Sequence, residues 1–187
     1  NIMNTQFILN YCGQKFKESK KLDDLNIDFT KIKTIIEPFG GSFGYSRYLW
    51  EIKDLKNKKY IIYDTDKNLI DFYNYFKQLI IEDKVNDFIN EYNNNMDYIK
   101  ENYNYKGHAR LIDSKKTKQY IETITDKYMN WILNLNLFRG GRATISDKKN
   151  LKFLDMIKET EFIYGDFTDI DFKQYDKKNT LIYLDPP

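Results

Sequence analysis

The most specific chemistry in the sequence lies in its last seven residues, where the apolar run Leu181 to Leu184 delivers Asp185-Pro186-Pro187. A strand ending this way places one carboxylate and a stiff, amide-poor backbone at a carboxyl edge, where open α/β sheets bind ligands. The Asp185 carboxylate and the Pro186 carbonyl form an acceptor pair that suits an exocyclic amino group. A second group is Glu37-Pro38-Phe39-Gly40-Gly41-Ser42-Phe43-Gly44, directly after the short apolar run Thr34-Ile35-Ile36. Glycines in a turn after a strand let the backbone approach a ligand and aim helix N-terminal amides at it. The spacing of Gly40, Gly41 and Gly44 is not the full dinucleotide fingerprint. Asp64 ends the next apolar run, Tyr60 to Tyr63, 24 positions after Gly40. A carboxylate there can accept both hydroxyls of a ribose. The plainer reading of the same residues is a tight turn followed by a helix-capping aspartate.

These residues need a scaffold, and the pattern around them supplies one. Tyr45, Tyr48, Leu49, Ile52 and Leu55 recur at helical spacing after the glycine turn, and Leu69, Ile70, Tyr73, Phe76 and Ile80 do so after Asp64. Strand, glycine turn, helix, strand and acid outline a nucleotide-binding βαβ unit. Strands are predicted near 33–37, 60–64, 161–164 and 181–185, all in one parallel sheet wrapped by helices. Between Asp64 and Glu161 lie 96 residues, whereas a simple crossover needs only about 30. The excess is read as a mainly helical insertion. It holds a polar helical pattern from Lys84 to Asn102, a stronger helix from Thr117 to Leu135, and a helix from Lys148 to Glu159. Phe138 to Asp147 reads as a loop, because Gly140, Gly141 and Ser146 break both periodicities. Arg139 and Arg142 make this loop a candidate nucleic-acid contact, with the lysines of Lys115 to Lys118 next in line.

Composition narrows the classes. The chain has 187 residues, 41% hydrophobic and 31% charged, which fits a globular fold and excludes low-complexity classes. A net charge of +2 gives no strong global field toward polyanions. There are 26 lysines against four arginines, a bias that resembles AT-rich coding, so lysine richness alone argues nothing. Cys12 is the only cysteine and His108 the only histidine. An internal disulfide or thiolate zinc site is therefore excluded, no metal is expected, and any histidine chemistry would rest on one residue. No apolar run approaches the roughly 20 residues that span a bilayer, so the expectation is an intracellular protein without a membrane partner.

Taken in order, the motifs resemble the Dam-type DNA adenine methyltransferases, which use S-adenosylmethionine (AdoMet). Ile8-Leu9-Asn10-Tyr11-Cys12-Gly13-Gln14-Lys15 is similar to their opening F-L-K-W-A-G-G-K. Glu37 to Gly44 resembles E-P-F-x-G-x-G with respaced glycines, and Tyr63 to Ile70 resembles A-D-I-N-x-x-L-I. Gly165-Asp166-Phe167 and Asp185-Pro186-Pro187 resemble the late G-D-F and D-P-P-Y motifs. The resemblance implies that Tyr11, Gly13 and Lys15 lie beside AdoMet, with Lys15 near its carboxylate. It implies that Glu37, Phe39, Gly40, Gly41 and Gly44 line the methionine moiety and that Asp64 holds the ribose. Asp166 and Phe167 would frame the adenine, and Asp185, Pro186 and Pro187 would form the catalytic motif that grips the target amino group.

The resemblance further implies a Rossmann-like methyltransferase domain over 1–80 and 161–187, with a target-recognition insertion over 81–160 and double-stranded DNA as partner. The chain ends before the aromatic residue that closes the family's motif. The expectation is thus a truncated domain, completed by a missing C-terminal segment or a protein partner. Two other readings stay open: a catalytically incomplete AdoMet- or DNA-binding subunit, and an RNA adenine methyltransferase, since the acceptor pair reads an amino group without knowing the polymer's sugar. A nucleotide-dependent oxidoreductase leaves Asp-Pro-Pro unexplained.

Overall fold

The structure, a computed structural model, describes residues 7–9, 15–103, 113–138 and 151–186. The chain divides into two compact units. One holds the described residues within 13–78 and 152–187, and contains the whole sheet. Its strands are β1 (Thr34–Glu37), β2 (Lys59–Asp64), β3 (Glu161–Tyr164) and β4 (Thr180–Ile182). All pairings are parallel, in the order β3-β2-β1-β4. Thr34 pairs with Lys59 on one side and with Thr180 on the other. The first three strands step in one direction and β4 returns to the far side of β1, so the connections reverse between β1 and β4. That is an α/β fold with the strand order of the first four strands of a doubly wound sheet.

Consecutive residues are buried along β1 and β2, as expected where both faces of a parallel sheet are covered. On one face, Tyr60 meets Trp50 of α1 (Gly44–Glu51) at 5.8 Å, and Phe162 meets Phe43 at 5.4 Å and Tyr73 of α2 (Lys67–Ile81) at 4.8 Å. On the other, Ile36, Ile61 and Tyr63 form a cluster with Ile163 of β3, and Ile170 and Tyr175 pack against it. The Tyr63 and Tyr175 hydroxyls hydrogen-bond at 2.6 Å.

The second unit contains the described residues within 3–12 and 79–151. It is helical: α3 (Val85–Asn102), α4 (Ser114–Glu122) and α5 (Lys127–Phe138). α3 buries Val85, Phe88, Ile89, Tyr92, Met96 and Ile99, one stripe at helical spacing. Asn136, fully buried in α5, donates to Ile8 O at 3.1 Å and to the Tyr92 hydroxyl at 3.1 Å. The last α-helix among the described residues, α6 (Leu154–Glu159), leads into β3 in the sheet unit.

Four expectations need correction. The helix expected from Lys148 to Glu159 begins only at Leu154, and 148–150 lie outside the described residues. The helix expected over Thr117 to Leu135 is two helices, because Asp126 Oδ1 accepts from Tyr128 N at 2.8 Å and Met129 N at 3.0 Å and so starts α5 afresh. The periodicity through Leu55 overruns α1, whose last residue is Glu51; the chain leaves the helix through Asp54 at φ 56°, and Ile52 is 42% exposed. β4 ends at Ile182 rather than 185, although Tyr183 N still bonds to Ile36 O at 2.9 Å. The described residues show no helix long and apolar enough to cross a membrane.

Candidate ligand site at the carboxyl edge of the sheet

The turn after β1 is held by backbone bonds to its neighbour. Gly40 N donates to Tyr63 O at 2.7 Å, and Gly41 N donates to Asp64 Oδ2 at 2.8 Å. A Cβ on Gly40 would strike the Ile62 side chain and lie 2.9 Å from Tyr63 O. At Gly44 it would lie 2.6 Å from Phe16 N and 2.9 Å from Lys15 N. Gly41 adopts φ 50°, in the left-handed region. Gly40 and Gly44 therefore serve close approach between parts of the chain, where the sequence suggested approach to a ligand.

Glu37 ends β1 and is 3% exposed. Its Oε2 accepts from Ser46 N at 2.9 Å, within the first turn of α1. Burial pushes its pKa up to about 7, against the Ser46 hydrogen bond and the nearby Arg47 charge, while Asp185 pushes further in the same upward direction. A carboxylate thus occupies the end of α1 where a phosphate would bind in a dinucleotide site. The site a dinucleotide phosphate would use is therefore already filled by the protein.

Asp64 ties the two strand-to-helix turns together: Oδ2 takes the Gly41 N–H and Oδ1 takes the Asp66 N–H at 2.8 Å. Each oxygen keeps a further lone pair for a hydroxyl donor. The cap of α2 is Asp66, whose Oδ1 accepts from Leu69 N at 3.2 Å. Sequence reasoning passed over Asp66, yet an aspartate one residue before the first helical position is a readable start signal. Beyond β3, Gly165 N bonds to Asp64 O at 3.0 Å, so the Asp166-Phe167 turn lies next to Asp64. Phe167 stacks on Phe39 with centroids 5.3 Å apart. Asp166 Oδ1 accepts from Thr168 N at 2.8 Å and from Thr168 Oγ1 at 2.6 Å, which holds its pKa below the usual value.

Beyond β4 come Tyr183, Leu184, Asp185 and the exposed Pro186. The Tyr183 ring packs on Tyr45 at 4.6 Å, a contact no sequence signal announced. Burial, then the Asp185 and Glu37 charges, push the Tyr183 hydroxyl up to about 12, so it stays protonated beside them. Lys15 Nζ pairs with Glu18 at 3.4 Å while its backbone lies against Gly44. Tyr11, Gly13, Arg139, Arg142 and Pro187 lie outside the described residues.

The candidate residues fall along one edge in strand order: Asp166 and Phe167 at β3, Asp64 at β2, Glu37 to Gly44 at β1, and Asp185 with Pro186 at β4. Adjacent strands stand about 4.8 Å apart, so the row from β3 to β4 spans about 14 Å. Among the described residues no cluster of histidine, cysteine and carboxylate side chains could hold a metal ion. No protein-family model matches the chain, and no curated protein matches it.

Proposed function

We propose that the chain is an AdoMet-dependent adenine methyltransferase acting on double-stranded DNA. The observation that carries this reading is the order of groups along the sheet edge. An aromatic and an acid at β3 suit the adenine of AdoMet, Asp64 suits its ribose, the glycine turn after β1 suits its amino acid end, and the β4 acceptors suit an incoming amino group. The row follows the order in which these parts are joined in the cofactor, with the methyl acceptor last. Glu37 fills the start of α1, where a pyrophosphate would bind, which weighs against a dinucleotide oxidoreductase.

When bound, AdoMet supplies an already activated methyl group, so the protein's task is alignment and charge stabilisation. Asp64 takes the ribose hydroxyls on its free lone pairs. Asp185 and the Pro186 carbonyl accept the two N–H bonds of the target amino group. Their pull strengthens as the nitrogen gains positive character, and they orient its lone pair toward the methyl carbon. The target base must first leave the duplex, at an unstacking cost of a few kcal/mol.

Incubation of the chain with methyl-labelled AdoMet and duplex DNA, with RNA in parallel, tests the proposal. Label is expected on the amino nitrogen of DNA adenine, and Asp185→Ala is expected to slow transfer about 10²–10³-fold, as for removal of a preorganised group that stabilises the transition state. Label on RNA alone would assign the RNA reading. AdoMet binding with no transfer to either polymer would favour the binding-subunit reading.

A further inference from the structure

The two turns that flank the end of β2 bring aromatic rings together there. β1 and β3 are not neighbours; β2 lies between them, which sets them about 10 Å apart. Backbone bonds pin both turns to the last residues of β2: Gly40 N donates to Tyr63 O at 2.7 Å and Gly165 N donates to Asp64 O at 3.0 Å. Phe39 precedes Gly40, and Phe167 lies just beyond Gly165. Their rings stack with centroids 5.3 Å apart and planes 28° apart. The pair therefore bridges the end of the strand that carries Asp64. Phe172 leans on Phe167 at 5.6 Å and 51°. Phe167 and Phe172 each open a 3-10 turn, Phe167–Asp169 and Phe172–Gln174, fixed by the caps Asp166 to Thr168 N and Asp171 to Lys173 N. Among the ring contacts of the described residues, Phe39 has Phe167 alone. All three rings are half-buried, outside the packed interior.

We infer that Phe39 competes with the cofactor: its ring lies on the face of Phe167 that the adenine would take, and AdoMet binds by exchanging one ring for the other. Phe39 lies nearly parallel to Phe167, the arrangement of a stacked adenine, whereas the tilted Phe172 is a brace. A cofactor laid along the edge from β3 to β1 must also cross the Phe39–Phe167 bridge, because β2 lies between those strands. A phenylalanine pair of this kind shifts an equilibrium about two- to ten-fold. A base stacked on an aromatic ring is worth more, so the exchange favours the adenine. A protein whose binding-competent arrangement is only partly populated binds with affinity reduced by that fraction. The inference rests on the AdoMet reading of the sheet edge. It departs from the expectation that Phe39 lines the methionine moiety: a lining residue strengthens binding, and a competitor weakens it.

The test is calorimetric titration of the chain with AdoMet and, separately, with adenosine, using far-UV circular dichroism and thermal midpoints to show that each variant is folded. Phe39→Ala should tighten both ligands about two- to ten-fold and by the same factor, because the exchange concerns only the adenine end. Phe39→Leu keeps apolar bulk at the turn and removes the flat ring, so it should show the gain even if the alanine variant fails to fold. Phe167→Ala should weaken both ligands about ten-fold by removing the face itself. If the unaltered chain binds AdoMet and folded Phe39→Leu binds it equally or more weakly, the inference is overturned while the AdoMet reading stands. If neither the unaltered chain nor any variant binds AdoMet, the AdoMet reading falls and the inference falls with it.

Discussion

At the end of β1 the carboxylate that holds the next helix comes from the strand, Glu37 reaching the Ser46 N–H nine residues on. At the end of β2 it comes from the turn, Asp66 reaching the Leu69 N–H three residues on. The first cap is buried and spans the whole glycine turn, so it dictates the path of that turn and carries a proton near neutrality. The second is local and leaves the turn's path to ordinary helix initiation. Asp64 joins the two, taking one backbone N–H from each side. A long-range buried cap thus couples strand, turn and helix into one rigid edge, whereas a local cap stabilises only its own helix.

The largest test of that contrast is Glu37→Gln, which keeps an oxygen for Ser46 and removes the titration. Glu37 binds its proton more tightly when folded, so its contribution to stability is fully present below about pH 4.5 and is lost as pH rises through about 7. Chemical denaturation across that window should show wild-type stability falling by about 3 kcal/mol relative to the Gln variant. Parallel profiles for the two proteins would break the assignment of a buried, proton-holding cap.

Asp64→Ala cuts the link between the turns and removes the proposed ribose acceptor. Hydrogen bonds to charged groups contribute about 1.5–3 kcal/mol, so AdoMet affinity by calorimetry should fall roughly ten-fold or more. Unchanged affinity in a folded variant would leave Asp64 as a tie between the turns and nothing else. Gly44→Ala pushes a methyl group into the Lys15–Phe16 backbone, and overpacking of this kind costs about 1–3 kcal/mol. A thermal midpoint equal to wild type would mean that this backbone yields freely. The smallest effect belongs to Asp66→Ala, about 1 kcal/mol for removal of an N-cap, with AdoMet affinity unchanged. A larger destabilisation from Asp66→Ala than from Gly44→Ala would reverse the ranking of the two turns.

The parts of the fold that were legible are those that depend on near neighbours. The apolar runs at Ile35-Ile36 and Tyr60 to Tyr63 are strands because their residues are buried in succession on a two-sided sheet, and the shorter run Phe162-Ile163 pairs at its edge. The stripe from Val85 to Ile99 is one helix because its apolar positions share a face. The break at Asp126 was equally local, yet apolar periodicity continued through it and masked the cap. Among the site residues, the glycines were recognisable as special by type. Their reasons are tertiary: Gly40 faces Ile62 and Tyr63, and Gly44 faces Lys15 and Phe16.

By itself the sequence determined the residue types and their order: two strand-turn-helix units with an acid at each strand end, and a late apolar run closing on Asp-Pro-Pro. Local hydrogen bonding and side-chain periodicity act over a few residues, and such features need no partner to be read. Only the tertiary structure decided that β4 lies beside β1 rather than beyond β3. That placement sets Asp185 close enough to Glu37 to raise its pKa, and Tyr183 against Tyr45. Strand adjacency in a parallel sheet is settled by crossover connections and by which faces find cover, and no spacing along the chain encodes that choice.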